Sequence, residues 1–247
     1  NELTVKSTIT PVKALMIMPK FSWNYCREKT DYHYGPLDTT AVRTSNTYEP
    51  SIFLKWKMSR VRNMDIAFAY NTSVPDLVST LGYRNTIDPL HIYMGNPLLR
   101  NSHSHTTTYN YHRMWLRKQI VLGFTASYNK DITPQATLYS YNSATGVYTS
   151  KPMNVKGGDM WQFGLNYDQG IGFYFRLMNK FALETEKSYG FLTIVDNNAA
   201  DAQPELNKQK RLGINNDFEF SYETEKLQLT LFDRLESNRY RYDDASY

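Results

Sequence analysis

Two histidines and two glutamates are the first residues to weigh for chemistry. His103 and His105 lie two apart, so on a strand they share a face and could offer imidazoles to one metal ion. Metal centres draw on sets of three or four ligands. Here the third would have to be Asp88 or His91, neither at useful spacing, so a solvated or lumen-facing pair is the stronger reading and no metal is expected. Glu184 and Glu186 also share a face. General acid–base work needs two carboxylates in contrasting environments, and the neighbouring sequence supplies no contrast. Asp196, Asn198 and Asp201 have the oxygen donors of a calcium loop but lack its glycine and terminal glutamate. No nucleophile elbow, Walker loop or Gly-x-Gly-x-x-Gly phosphate cradle occurs. The chain therefore reads as a non-enzyme without a cofactor.

Cys26 is the single cysteine, which excludes a disulfide framework within the chain and a cysteine metal pair. It lies in an alternating segment and reads as a thiol packed on a strand. The net charge of +4 is scattered, and its densest basic run, Lys208, Lys210 and Arg211, is too thin to imply nucleic acid. No signal peptide opens the sequence, so an exported protein would have had a different original N-terminus.

The elements that must carry these residues show period-two alternation far more often than helical spacing. Leu15, Ile17, Phe21, Trp23 and Tyr25 fall on one face, against Lys20, Ser22, Asn24 and Cys26, with Met16 and Met18 breaking the polar side. The same rhythm sets Ile52, Leu54, Trp56 and Met58 against Ser51, Lys55 and Lys57. It returns at Met64–Tyr70, Ile120–Tyr128, Trp161–Tyr167, Ile171–Leu177, Leu212–Tyr222 and Leu227–Leu231. Asp233 would extend the last apolar face, so a bulge or the end of the apolar zone is expected there. With Glu2–Ile9 and Ser102–Trp115 the count reaches ten strands.

The connections alternate in length. Short ones are expected at Thr10–Lys13, Arg60–Asn63, Leu116–Lys118, Asp168–Gly170 and Glu223–Lys226, and long ones at Lys29–Thr44, Val74–Asn101, Thr133–Thr149 and Ser188–Asn207. Mean hydropathy is low (−0.57), and no stretch approaches the roughly 18 apolar residues of a membrane helix. A transmembrane barrel keeps its average polar because only alternate residues meet lipid. The 15% aromatic content and the placing of Tyr25, Tyr48, Tyr70, Tyr128, Tyr167, Tyr222 and Trp161 toward strand ends suit the aromatic girdles of such a barrel. The fold class read from these patterns is all-β, an antiparallel transmembrane β-barrel in a bacterial outer membrane. Ile52, Leu54, Trp56, Phe124, Trp161, Phe163, Phe173 and Phe175 are the expected lipid-facing residues.

With short turns in the periplasm, the chain would begin by descending through Glu2–Ile9 and end by ascending through Leu227–Tyr242. Both termini would then lie outside, whereas an even-stranded bacterial barrel keeps both in the periplasm. The expectation is one part, spanning 1–247, of a single larger barrel domain.

Asn71–Asn101 carries two punctuated elements, Ser73-x-Pro75-x-Leu77 and Gly95-Asn96-Pro97-Leu98, with Asp88-Pro89-Leu90 between them. Pro152-Met153-Asn154-Val155-Lys156-Gly157 and Tyr48-Glu49-Pro50 are of the same kind. In these residues the chain resembles the barrel of TonB-dependent outer-membrane receptors, close to the starch-utilisation-type transporters. The resemblance implies a barrel of roughly 22 strands, filled by a plug domain not present in this chain, through which the TonB energy-coupling protein is recruited. It also implies outer-membrane lipid as surroundings, a surface lipoprotein lid in some relatives, and import of an oligosaccharide, peptide or metal chelate. Locally, Gly95 is expected to supply a positive φ and Asn96 an extended or turn geometry before Pro97, serving architecture rather than ligand contact. Ligand recognition is assigned to the long loops: Tyr83, Arg84, Asn85, His91 and Tyr93 in one, Tyr139, Tyr141, Asn142 and Tyr148 in another. Self-packing of the loops is the competing use of these rings.

Two rival functions follow. An outer-membrane barrel enzyme would gather histidine and acidic residues at one rim, whereas these histidines are dispersed. A structural or surface-interaction barrel without transport would lack the upstream plug and coupling segment.

Overall fold

The computed structural model describes residues 1–34, 37–192, 194–195 and 205–243. The Asp196, Asn198 and Asp201 run lies outside them. In chain order the strands are β1 (Glu2–Lys6), β2 (Ile9–Val12), β3 (Leu15–Tyr34), β4 (Leu37–Ser59), β5 (Arg62–Ser73), β6 (Arg84–Asn85), β7 (His91–Met94) and β8 (Ser102–Trp115). There follow β9 (Ile120–Asp131), β10 (Gln135–Asn142), β11 (Val147–Asn154), β12 (Asp159–Ile171), β13 (Phe175–Phe191), β14 (Ile194–Val195), β15 (Leu206–Glu223) and β16 (Gln228–Asp243).

One antiparallel sheet runs β1-β3-β4-β5-β8-β9-β12-β13-β15-β16, with β2 also paired to β3. Each neighbour is the next wall strand in the chain. β1 and β2 form one interrupted strand along β3, its register shifting between Ile9 and Val12. The expected ten-strand wall is present with its first strand broken.

Successive hairpins are staggered. Arg62 pairs with Arg113, two residues before Trp115 ends β8. Ile120 pairs with Gln169, two before Ile171 ends β12. A stagger of about two residues per hairpin is ~6.6 Å along the strands for ~9.6 Å across them, a tilt of roughly 35° and within the range a closing barrel needs.

Because cross-strand partners share a face, register tests the alternation directly. Ile66, Tyr109, Ala126, Phe163, Leu183 and Ile214 form one continuous row. Two residues nearer the short turns, Met64, Tyr111, Phe124, Leu165, Phe181 and Asn216 form the next. Ile52, Leu54 and Trp56 pair with Phe68, Ile66 and Met64, and so belong to this face. Phe175 joins it through Ile171 and Tyr222. Large apolar groups on it stay open: Ile52, Trp56, Trp161, Leu165 and Phe175 are each 40–42% exposed. A dry interior beneath a second layer would have closed them. The buried hydrophobic side chains among the described residues, Leu77, Ile92, Leu99 and Val155, belong instead to the connections.

The opposite face is polar and cross-linked. Arg176 donates twice to Asp168 (2.9 and 2.6 Å) and Arg234 twice to Asp217 (2.8 and 3.3 Å). Gln162 donates to Glu184 (2.8 Å), which also pairs with Arg211, while Glu186 lies 4.0 Å from the same guanidinium. Glu184 and Glu186 are thus held together by one arginine on the lumen side.

Several boundaries differ from expectation. The first turn is Lys13–Ala14 rather than Thr10–Lys13, because Val12 still pairs with Leu15. Asp168–Gly170 is strand, and the chain reverses at Gly172–Tyr174, where Gly172 takes φ 65°. Of two nearby glycines, the turn uses the one that follows the last apolar rung, Ile171↔Phe175. Phe173 is therefore a turn residue, 97% exposed, and not a wall residue. The Lys29–Thr44 stretch is mostly ladder, with Lys29↔Val42 and Asp31↔Thr40 as rungs. The sequence of this stretch has no apolar alternation, so pairing outlasts the pattern that signalled it. No bulge relieves Asp233, which stays in register opposite Phe218. Cys26 is exposed, across from Ser45, and not packed away.

Candidate binding surface at the outer mouth

The long connections build a second sheet, ordered β14-β10-β11-β7-β6. β10 and β11 form an antiparallel hairpin, whereas β7 joins β11 and β14 joins β10 in parallel. Strands from three separate connections are thereby tied together.

A compact nucleus holds this sheet to the wall. Leu77 and Leu99 are buried in it with Pro75, Ile92 and Val155. Asn96 is buried too: its amide donates to the Pro152 carbonyl (2.8 Å), its side-chain oxygen accepts from Leu98 N–H (3.0 Å), and its own N–H reaches the Ser79 carbonyl (2.8 Å). Asn154 does the equivalent from the other loop, accepting from Arg100 N–H (2.7 Å) and donating to the Arg100 carbonyl (3.0 Å). Gly95 does not have a positive φ, which among glycines is recorded for Gly146 and Gly172. Its role is close approach, since a Cβ there would lie 1.8 Å from the Leu81 carbonyl oxygen. Ser73 closes β5 against Ser102, Pro97 faces Gly82, and Leu98 is 84% exposed.

Residues of the second sheet that share a row share a face. Tyr141, Tyr148 and His91 stand in one row across β10, β11 and β7. Tyr141 and Tyr148 have ring centroids 4.5 Å apart, and His91 stacks on Tyr148 at 5.8 Å with planes 9° apart. The next row on the same face is Tyr139, Ser150, Tyr93 and Asn85. Tyr93 contacts Tyr83 (5.9 Å) and donates its hydroxyl to Ser79 (2.9 Å). Tyr139 and Tyr148 are about half exposed, at 50% and 44%. The result is an aromatic platform flanked by short polar groups.

One end of the platform is fixed by Asp88. Its carboxylate accepts from Leu90 N–H and from His91 Nδ1, both at 2.9 Å. The Leu90 hydrogen bond first, and then His91, holds the Asp88 carboxyl below its ordinary value. Among the loop residues expected from sequence, His91 and Tyr141 are brought together through Tyr148, and Tyr83 meets Tyr93. Asn85 spends its side-chain oxygen on Ile87 N–H (3.1 Å), and Arg84 pairs with Met94, out of phase with the platform. Ser150 between two rings carried no local signal, because parallel β7–β11 pairing places it; Asp88, three residues before His91, clamps it through a local turn, whereas the sequence offered that pair only as metal ligands.

His103 and His105 do share a face, but it is the outward one that also carries Tyr109 and Tyr111 and not the lumen face, and both are absorbed by neighbours. His103 stacks on Tyr70 (5.7 Å) and bonds Thr72 Oγ1 (3.2 Å), and His105 sits between Phe68 (6.0 Å) and Tyr128 (5.7 Å).

A lipid-facing apolar belt, a polar lumen face, short turns at one end and built-up loops at the other are the parts of an outer-membrane wall. The family model described as "Outer membrane protein beta-barrel family" matches residues 27–247. The chain belongs to that family. Its localisation is accordingly the bacterial outer membrane, and its surroundings are membrane lipid. Two solved structures share the fold of this family member. The outer membrane transporter YddB from Escherichia coli aligns at TM-score 0.52 and 9% identity, over 98% of this chain and 34% of that one. The ferric enterobactin receptor PfeA (G324V mutant) from Pseudomonas aeruginosa aligns at TM-score 0.52 and 8% identity, over 91% and 37%. The chain thus spans about a third of the length of either. No curated protein sequence matches it.

Proposed function

We propose that the chain forms part of the wall and outer mouth of a TonB-dependent nutrient importer. The observation that carries this reading is the aromatic platform Tyr141–Tyr148–His91, built from separate loops above a lumen face lined by hydrogen-bonded and ionic groups. A water-filled passage of barrel width needs a gate, and energy for opening it must come from the inner membrane. A plug and the coupling protein would supply these. The rings favour a ligand with flat, weakly charged faces. Of oligosaccharide, peptide and metal chelate, the oligosaccharide is the first to test, because the platform's polar company is hydroxyl and amide rather than a cationic cluster. An outer lipoprotein lid would close over the same surface.

The test is uptake of labelled oligosaccharides, peptides and ferric chelates by cells carrying or lacking the full-length gene, each with and without the energy-coupling protein. Import predicts uptake of one class that needs both genes and falls about tenfold in Tyr148→Ala, from the lost stacking. Uptake independent of the coupling protein, or equal in the deletion strain, would refute it.

A further inference from the structure

The outward face of the last three wall strands carries a polar island inside the apolar belt. Asn179 on β13, Asn216 on β15 and Asp233 on β16 all share that face, through the rungs Asn179↔Phe218, Phe181↔Asn216 and Phe218↔Asp233. Apolar groups lie on either side of them. Leu177, Phe220 and Leu231 form the row nearer the short turns, and Leu183, Ile214 and Leu235 stand nearer the mouth. The belt therefore continues past Asp233. At ~3.3 Å per residue and a tilt of roughly 35°, Asn216 stands ~16 Å above Tyr222 and Asp233 ~11 Å above Leu229. The stagger between neighbouring strands brings the two to within ~3 Å of one depth. Both lie well inside a belt of about 25 Å.

The hydrogen bonds of this island are only partly made. Asn179 Nδ2 donates to Asn216 Oδ1 (3.0 Å) and to the Asp217 carbonyl (3.4 Å). Asn216 Nδ2 then has no acceptor among the described residues, and the exposed Asp233 carboxylate has no donor among them. Arg234, next in the chain, points to the lumen and is spent on Asp217. Ionisable groups at membrane depth are costly and almost always meet protein or water. Hydrocarbon offers neither donor nor acceptor, so another protein surface must. The island is its own complement, with a free amide donor and a free carboxylate acceptor at one depth. Two copies inserted in the same direction are related by a two-fold axis along the membrane normal, which preserves depth and sets each group against its opposite. We infer that the outward face of β13, β15 and β16 is the contact between two copies of this protein in the membrane. Two reciprocal Asn216–Asp233 hydrogen bonds form its centre, and Phe218 and Leu235 close around them against lipid. The inference is independent of what, if anything, the barrel imports.

The experiment is sedimentation equilibrium of the full-length protein in a non-ionic detergent, joined to disulfide trapping in intact outer membranes. Wild type is expected to sediment as a dimer. Asn216→Leu/Asp233→Leu should associate about tenfold more weakly, from the loss of two hydrogen bonds between membrane-embedded surfaces. Unboiled gel mobility should show the wall of that variant as heat-stable as wild type, because leucine suits hydrocarbon. Asp233→Asn keeps an acceptor and should keep the dimer. For trapping, Cys26→Ser removes the natural thiol. In that background, co-expressed Asn216→Cys and Asp233→Cys copies should join on oxidation, whereas Phe124→Cys, outward on β9, should not. A monomeric wild type, undiminished association of the leucine variant, or trapping no better than at Phe124→Cys would each overturn the inference.

Discussion

Leu165 and Asn166 are adjacent, and the structure assigns them opposite solvents. Leu165 stands between Phe124 and Phe181 on the outward face, and Asn166 stands between Gly123 and Lys180 on the lumen face. Along β12 the outward positions run from Trp161 to Ile171. At ~3.3 Å per residue and a tilt of roughly 35°, Leu165 lies ~11 Å below Trp161 and ~16 Å above Ile171. That is close to the middle of a belt of about 25 Å. An arginine at such a depth on the lipid face costs ~2–4 kcal/mol. Leu165→Arg should therefore lower the equilibrium constant for folding into bilayers by roughly 30- to 1,000-fold. Asn166→Arg places the same side chain in water, and repulsion from Lys180 opposite should hold the cost to about 1 kcal/mol or less. Urea titration of the full-length protein in phosphatidylcholine vesicles, followed by tryptophan emission and by gel mobility, measures both. Costs equal within about 0.5 kcal/mol, or a larger cost for Asn166→Arg, would refute the assignment of faces on which the whole reading stands.

The loops give two further expectations. Gly95→Ala drives a Cβ to within 1.8 Å of the Leu81 carbonyl oxygen, so the nucleus beneath the second sheet must shift, at about 1–3 kcal/mol. Limited proteolysis should then cut between residues 74 and 101 while unboiled gel mobility of the wall is unchanged. The Asp88 carboxyl is held below the ordinary range by Leu90 N–H and His91. The stabilisation this gives the 88–91 turn is therefore present above the unfolded value of about 3.9. It is lost as pH falls through the lower folded value. Amide exchange at Leu90, corrected for its intrinsic rate, should rise only on that acid limb, and Asp88→Asn should flatten the profile.

Where side chains alternate between lipid and water, the wall was legible residue by residue. Leu54, Phe124 and Phe163 could be assigned a face before any pairing was known, because period two is imposed by the pleat and by two different solvents. The legibility stops where one solvent bathes both faces. Lys29–Thr44 continues as ladder with no apolar rhythm to report it. At the β12–β13 reversal, Gly170 and Gly172 were equally good turn residues in isolation, and the choice rests on the rung Ile171↔Phe175 across strands. The aromatic platform was half visible. Its rings could be named as loop aromatics, but the parallel pairing of β7 with β11 joins residues more than fifty apart in the chain, and no local pattern encodes it. Gly95 was singled out for the right segment and the wrong reason: the backbone needs space there, not a left-handed turn.

The parallel seams of the outer sheet also set an order of events. β7, the β10–β11 hairpin and β14 leave the wall at different hairpins, so their edges meet only after those hairpins stand side by side in the bilayer. Long-range pairings of this kind come late in folding because loop closure precedes any gain from contact. A half-inserted wall accordingly displays slack connections with no stacked rings among them, and the aromatic platform comes into being only when insertion is done.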